Sequence, residues 1–418
     1  LKDDSRIKTV GILGGGQLSR MLAEAALDLK VAVNVFLNTY EESARGLEGL
    51  MYFSPEESAL FAKSSDVLCF ESEFFDVKYL DEFRMARASL IEQPSLKTLS
   101  KLRDKLEQKK VFAELGFSQP HYLELDSSVR TIDSLLAFTK THFPGGCVLK
   151  RALGGYDGKG NYFLSLAKMG ALKVGEQYAA EEVSWLLAFI ESAHREGSKI
   201  YLESWVDFER ELAVVAYPHK GGVKLFPLVE SFQEKGVCRE VWGPYASESA
   251  LSKLRSYAEK LAKSYPDLGV FAIECFESKG EIFVNEMAPR VHNSAHYTRL
   301  FPMQSQFHAH MALLSGASFE GVPEPKGAFV MRNILGPDAW NVETPAEAAA
   351  IFEDVFSEIT DALWYKKSFV KSMRKMGHVC LEVESVDHVE SMKAHLKSLE
   401  ETFWKRVREA ALNNIKIE

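Results

Sequence analysis

Lys150-Arg151-Ala152-Leu153-Gly154-Gly155-Tyr156-Asp157-Gly158-Lys159-Gly160 is the stretch on which the reading turns. Four glycines fall within seven residues, so backbone N–H groups can wrap around phosphate oxygens. Lys150 ends the apolar run Cys147-Val148-Leu149, read as a strand, and offers charge to a phosphate. The loop is not a Walker A motif, because G-K-[ST] is missing. A mobile surface loop is the other reading of these residues.

Downstream, Val270 to Glu286 reads as a hairpin that turns near Ser278-Lys279-Gly280. A three-residue turn sets Glu277 opposite Glu281 and Glu274 opposite Val284. Glu286 then shares the face of Glu274, one diagonal step away, roughly 7–8 Å at the backbone. Two such carboxylates suit Mg²⁺ held jointly with nucleotide phosphates. A slip of one residue would separate the faces, and ordinary exposed strand carboxylates are the alternative. The chain continues Asn285-Glu286-Met287-Ala288-Pro289-Arg290-Val291-His292-Asn293-Ser294-Ala295-His296. Amide, acid, guanidinium and two imidazoles crowd one strand end, where α/β proteins place chemistry. Arg290 can hold a planar anion with two parallel bonds.

Upstream, Thr9 to Leu13 reads as a buried strand, Gly14-Gly15-Gly16 as a tight turn and Gln17 to Leu29 as a helix. Val31 to Leu37 and Asp66 to Glu71 are two further strands, a β-α-β pattern that implies a parallel sheet. The turn resembles G-x-G-x-x-G, but Ser19 replaces the third glycine and no acid ends the second strand at Phe36-Leu37-Asn38. Dinucleotide binding is therefore disfavoured. A structural turn, or a phosphorylated or sugar group at the helix N-terminus, is expected instead. Further helices are expected over Leu99–Leu115, Ala171–Arg195, Glu248–Tyr265 and Gln304–Leu314. Strands are expected near Ile200–Glu203, Glu211–Tyr217 and Lys224–Leu228. Lys366-Lys367 and Arg374-Lys375-Met376-Gly377-His378 read either as a solvated basic face or as a phosphate clamp.

At 418 residues the chain has room for two or three domains. The boundaries are expected to give 1–95, 96–322 and 323–418. Lys plus Arg is 50 against 59 for Asp plus Glu, a net charge of −9 that argues against a dedicated nucleic-acid binder. There is no apolar run of about 18 residues for a membrane span, and glycines break the early apolar stretch that a signal peptide would need. The leucine at position 1 suggests a trimmed start. Five scattered cysteines with no C-x-x-C pair argue against a disulfide framework or a structural zinc site and fit a reducing cytosol.

Taken in order, G-G-G-Q-L, K-R-x-x-G-G-Y-D-G-K-G, N-E-M-A-P-R-x-H-N-S and R-K-M-G-H resemble the ATP-grasp enzymes of purine synthesis, and among them the 5-(carboxyamino)imidazole ribonucleotide synthases. The resemblance spans roughly residues 7 to 385. It implies an α/β and α+β protein of three domains: an N-terminal parallel-sheet α/β domain, an ATP-grasp domain whose two α+β parts clamp ATP, and a small C-terminal domain. It also implies carboxylation of 5-aminoimidazole ribonucleotide by bicarbonate and ATP in a cytoplasmic homodimer, with Mg²⁺ or Mn²⁺ as cofactor.

By the same resemblance, Lys105 and Lys150 contact ATP, and Gly155, Tyr156, Asp157, Gly158, Lys159, Gly160 and Asn161 close over its phosphates. Glu203, Ser204, Trp205 and Val206 form the adenine hinge. Glu211 holds the ribose, and Gln233 lies near the nucleotide. Glu274 and Glu286 bind the metal beside Asn285. Arg290, His292 and Asn293 hold bicarbonate and the imidazole end of the substrate, joined in catalysis by Tyr156 and Asp157. Gln17, Leu18, Glu71 and Glu73 surround the ribonucleotide, and Lys367, Arg374 and Lys375 clamp its phosphate.

The sequence departs from the family pattern in places. Ser19 and Ala295 stand for glycine, Tyr297 for tryptophan and Gln233 for histidine. Glu71-Ser72-Glu73-Phe74 replaces E-x-E-N or E-x-E-H. Residues 171–197 are longer than usual, as is the tail, where Leu396, Leu399, Phe403 and Val407 form one helical face suited to core or dimer packing. A formate-using glycinamide ribonucleotide transformylase is a sister reading, but it would show R-P-H-D-T-G where this chain has Arg290-Val291-His292-Asn293-Ser294-Ala295. A non-catalytic nucleotide-binding module is disfavoured by the intact Lys150, Glu274, Glu286 and Arg290, and a nicotinamide oxidoreductase by the incomplete glycine motif.

Overall fold

The computed structural model describes residues 8–37, 43–126, 129, 131–155, 160–164 and 180–415. The first sheet contains β1 (Val10–Leu13), β2 (Val33–Phe36), β3 (Met51–Phe53), β4 (Val67–Phe70) and β5 (Ile91–Glu92). Its order is β3-β2-β1-β4-β5, and every pairing is parallel. The three central strands are buried at every position, as a sheet covered on both faces requires. Gly14 has φ +120°, and a Cβ on it would lie 2.5 Å from a Glu71 carboxylate oxygen. Only glycine lets β1 turn here into the helix Gln17–Asp28.

The single helix expected over 99–115 is two helices, Leu96–Leu102 and Lys105–Glu114. Asp104 restarts the helix by accepting the N–H groups of Leu106 and Glu107 at 2.9 and 3.0 Å. A small antiparallel sheet follows, made of β6 (Tyr122–Glu124), β7 (Cys147–Arg151), β8 (Asn161–Leu164) and β9 (Ile200–Ser204) in the order β6-β9-β7-β8. Leu135, Leu149, Leu186 and Leu202 lie in the core between this sheet and the helices Ile132–His142 and Ala180–Arg195. The earlier part of the long segment, residues 171–179, lies outside the described residues.

The large sheet begins with β10 (Arg210–His219), β11 (Gly222–Leu225), β12 (Val229–Glu234), β13 (Val237–Gly243), β14 (Phe271–Ser278) and β15 (Glu281–Ala288). After residue 323 come β16 (Ala328–Leu335), β17 (Asn341–Glu343), β18 (Asp361–Trp364), β19 (Phe369–Lys371) and β20 (Lys375–Val383). The order β15-β14-β10-β12-β13-β16-β20-β18 crosses the expected boundary at 322/323, while β17 and β19 pair separately. The join is the β13–β16 ladder, from Glu240 opposite Arg332 to Gly243 opposite Phe329. The tail helix Val389–Ile415 buries Leu396, Phe403 and Val407 in the core behind this sheet, so its apolar stripe is core packing.

A buried polar chain ties the outer parts together. Arg299 donates to Glu24 on the first helix and to both carboxylate oxygens of Asp361 on β18. Asp361 in turn faces His378 of β20 at 3.3 Å. Among the described residues no helix is long and apolar enough to cross a membrane.

Candidate active site

The three parts of the chain meet at a cleft of about 1120 Å³. Its floor is the β14–β15 hairpin. The turn holds two residues, Lys279 and Gly280, both with positive φ (51° and 75°), so Ser278 pairs with Glu281 and Cys275 with Val284. This corrects the three-residue turn expected from the sequence. Two residues with φ > 0 match the twist of a tight hairpin better.

A bulge then intervenes, and Glu274 pairs directly with Glu286. Asn285 is the extra residue. A bulge sets two successive residues against one on the partner strand. Val284 is buried in the core below, while Asn285 and Glu286 both line the cleft beside Glu274. Three oxygen-bearing side chains thus converge on one face.

The neighbouring charges are arranged around this trio. Lys105 lies 2.5 Å from Glu286, and Lys150 donates to Asn285 Oδ1 at 2.9 Å. Burial raises the Glu274 carboxyl, and Glu286 beside it adds to the rise. Burial would also raise Glu286, but Lys105 and Lys150 outweigh it and hold that carboxyl below its ordinary range. Lys105 is held above its ordinary value because Glu286 outweighs the burial that would lower it. Two close carboxylates and an amide oxygen are hard donors whose mutual repulsion a divalent cation relieves, so the donor set fits Mg²⁺ or Mn²⁺.

Glu203 is 2% exposed. Its carboxylate pairs with Lys150 and with Lys109, which the sequence reading did not single out. Both lysines hold Glu203 below the ordinary carboxylate range against the effect of burial. Burial pushes Lys109 down to about 8, Lys150 adding to the fall. The Glu203 carboxylate is thus held between two lysines, and Glu203, Ser204, Trp205 and Val206 all line the cleft. Phe163, Phe208 and Phe276 also line the cleft, with Phe163 edge-on to Trp205 at 6.0 Å and Phe208 stacked on Phe276 at 4.8 Å. Glu211 is pushed up to about 7, chiefly by burial.

Elsewhere in the cleft, Arg290 reaches the turn that follows β4 of the N-terminal sheet. Its Nε and Nη2 both donate to Glu73, the latter at 3.3 Å. His292 Nε2 lies 3.4 Å from Glu274, and its Nδ1 lies 2.8 Å from Ser294 Oγ. Asn293 and Asn333 exchange amide hydrogen bonds at 3.1 and 2.7 Å. His296 is fully buried against His378, ring centroids 4.6 Å apart. Burial drives its imidazole well below the ordinary histidine range, so it is neutral.

Glu71 accepts the N–H groups of Gly16 and Leu18 at 2.7 and 3.3 Å and the Ser19 hydroxyl at 3.1 Å. A carboxylate thus occupies the helix N-terminus where a phosphorylated or sugar group was expected. Ser19 also donates to Gly14 O at 2.8 Å, so its departure from glycine serves the turn.

Every described residue of the sequence-derived set lines this one cleft except Arg374. Arg374 donates to Phe369 O at 2.9 Å, while Lys367 and Lys375 do line it. Tyr156, Asp157, Gly158 and Lys159 lie outside the described residues. The missed Lys109 had a signal: Lys105, Gln108 and Lys109 are spaced i, i+3, i+4, one face of a helix. Away from the cleft, Asp361, His378 and Cys380 cluster closely, but Arg299 already holds both Asp361 oxygens.

Comparison with known proteins agrees with this geometry. Residues 7–99 match the ribonucleotide synthetase preATP-grasp domain and residues 110–307 the ATP-grasp domain. Residues 329–392 match the phosphoribosylaminoimidazole carboxylase C-terminal domain. The N5-carboxyaminoimidazole ribonucleotide synthase of Synechococcus elongatus is 30% identical over 395 residues, covering 92% of this chain and 92% of that protein. This chain belongs to the N5-carboxyaminoimidazole ribonucleotide synthase family of ATP-grasp ligases. The phosphoribosylaminoimidazole carboxylase of Ogataea methanolica is 31% identical over 92% of this chain and 68% of its own length. Among solved structures, the carboxyaminoimidazole ribonucleotide synthase of Aspergillus clavatus complexed with ATP has a TM-score of 0.77 at 26% identity, covering 96% of this chain and 100% of that one. The same organism's enzyme in complex with ADP and 5-aminoimidazole ribonucleotide has a TM-score of 0.73 at 26% identity, covering 95% and 100%.

Proposed function

We propose that this chain joins bicarbonate to the exocyclic amine of 5-aminoimidazole ribonucleotide at the expense of ATP, releasing ADP and phosphate, as a step of purine biosynthesis. The observation that carries this reading is that Glu274, Asn285 and Glu286 line one cleft together with Lys105, Lys150, Arg290 and Lys375, with Lys105 on Glu286 and Lys150 on Asn285.

Roles follow from position. The aromatic end of the cleft, with Ser204, Trp205 and Val206, takes the adenine, and Glu211 and Gln233 take the ribose. Lys105 and Lys150 neutralise the phosphates, a task that mostly needs positioning and positive charge. Glu274 and Glu286, with Asn285 beside them, would hold the divalent cation, which supplies charge stabilisation to the phosphoryl group when bound. Arg290 orients bicarbonate so that one of its oxygens attacks the γ-phosphorus, giving carboxyphosphate and ADP. The Glu73 contact fixes the guanidinium until the anion arrives. Carboxyphosphate breaks down to CO₂ and phosphate inside the closed cleft, away from water. The amine then attacks CO₂, and its proton passes to His292 or Asp157. Gly155, Gly160 and Asn161 line the cleft beside the phosphates. Lys367 and Lys375 hold the ribonucleotide phosphate near Gln17 and Leu18, with Arg374 one residue removed.

We place the enzyme in the cytoplasm as a homodimer. The reducing compartment is supported by the buried free thiols of all five cysteines. The dimer is read by sedimentation. The activity test is ADP release from Mg·ATP and bicarbonate, with and without 5-aminoimidazole ribonucleotide. Strong stimulation, with loss of the free amine, is expected. ADP release that ignores the ribonucleotide would overturn the substrate.

A further inference from the structure

One face of the helix Lys105–Glu114 grips the metal hairpin along its main chain. Gln108 accepts the N–H of Met287 at 3.0 Å and donates to the Met287 carbonyl at 2.9 Å. One residue on, the Lys109 ammonium donates to the carbonyl of Asn285, the bulge residue, at 2.8 Å, and to Val284 O at 3.4 Å. Lys109 is 1% exposed, and it lies outside the set of cleft-lining residues. It therefore touches no bound substrate. Its other partner is Glu203, the carboxylate that also pairs with Lys150.

We propose that Lys109 is a positioning residue for the cation and the ATP phosphates. It pins the Asn285 bulge from below and, through Glu203, fixes Lys150 above it. This deepens the function proposed above and rests on it. Two devices converge on one ammonium. A carbonyl displaced by a bulge has lost its ladder partner, so it needs a donor from elsewhere. A buried carboxylate between two lysines divides its attraction between them. Remove Lys109, and Glu203 pulls on Lys150 alone, away from the Asn285 side chain. The bulge also loses the bond that keeps Asn285 and Glu286 on one face. Both changes displace the groups that meet Mg²⁺ and phosphate. Neither reaches the ribonucleotide side of the cleft.

The test is Lys109→Met, near in volume and without charge, with Lys109→Arg as the conservative variant. Mg·ADP binding is read by calorimetry, and KM by ADP release. Lys109→Met should weaken Mg·ADP at least tenfold and raise KM for ATP similarly, with KM for the ribonucleotide within twofold of normal. Lys109→Arg should recover most of the loss. Normal Mg·ADP affinity in folded Lys109→Met, with only a lower melting midpoint, would overturn the proposal. If Lys109→Met does not fold, the double variant Lys109→Met/Glu203→Gln removes the stranded buried charge. Measured against Glu203→Gln alone, unchanged Mg·ADP binding in the double variant overturns the proposal, and a further weakening supports it. Calorimetry does not depend on the identity of the acceptor. A wild-type chain that binds Mg·ADP but ignores the ribonucleotide would defeat the substrate assignment and leave this positioning role standing.

Discussion

Glu211 offers a quantitative test of how the nucleotide is held. It lies on β10, directly opposite Phe276 of β14, and lines the cleft. Burial pushes its carboxyl up to about 7. As a ribose-binding group it must be ionised to accept two hydroxyl hydrogen bonds. Protonation in the free enzyme then removes the binding-competent form. With a pKa near 7, roughly ten-elevenths of the enzyme is competent at pH 8 and roughly one-eleventh at pH 6. Because kcat/KM reports the free enzyme, kcat/KM for ATP should fall about tenfold between those values, while kcat at saturating ATP falls much less. Glu211→Gln keeps the shape and removes the titration. It should lower kcat/KM for ATP at pH 8 by roughly ten- to a hundredfold, the usual worth of a hydrogen bond to a charged group, and flatten the profile between pH 6 and 8. The assay is initial-rate ADP release over a range of ATP at fixed excess Mg²⁺. A Glu211→Gln enzyme with an undiminished pH dependence would refute the reasoning.

Glu286→Gln and Arg290→Ala should each abolish turnover while circular dichroism and the melting midpoint stay near normal; near-normal rates would undo the metal or the anion assignment. Lys375→Ala should raise KM for the ribonucleotide at least tenfold and KM for ATP little, and Arg374→Ala should do less, since Arg374 lies off the cleft. The reverse order would relocate the phosphate clamp. His310 predicts an acid limit to stability. It is buried, its Nδ1 accepts the Val270 N–H at 3.1 Å, and burial lowers it to about 4 from 6.5. The unfolded chain binds this proton below 6.5 and the folded chain only below about 4. Stability is therefore full above 6.5 and lost as pH falls toward 4, by about 2 kcal/mol at pH 5. Urea unfolding at pH 7.5 and 5 should show it, and His310→Asn should shrink the difference by that amount.

Much of the site was legible because its chemistry is carried by short contiguous runs. Gly154 to Gly160 and Asn285 to Ser294 advertise backbone and side-chain donors by composition alone. The parallel sheet was equally plain, since β1, β2 and β4 are apolar without alternation. What escaped depends on partners far along the chain. The β12–β13 hairpin turns on Lys235 and Gly236, both with positive φ (51° and 79°), and nothing in its flanks announced it. The bulge at Asn285 follows from the register of β14 against β15, which periodicity cannot supply. Glu71 and Glu73 line the cleft, yet their partners Gly16 and Arg290 sit 55 and 217 positions away. Lys109 looked like one more lysine in a charged helix because burial is a tertiary property. The pairing of β13 with β16 across residue 322 is likewise a tertiary property that a local cluster of proline and glycine does not reveal.

That shared sheet bears on how the protein could be cut or rebuilt. Strand β13 lies between β12 and β16. A chain ended after residue 322 would bare the stretch of β13 that now pairs with β16, from Glu240 to Gly243. An open edge of that kind recruits other strands. The last hundred or so residues are therefore not a detachable accessory. A gene fusion or fragment that keeps the nucleotide half alone should aggregate rather than bind, whereas additions beyond the tail helix leave the β13–β16 ladder intact.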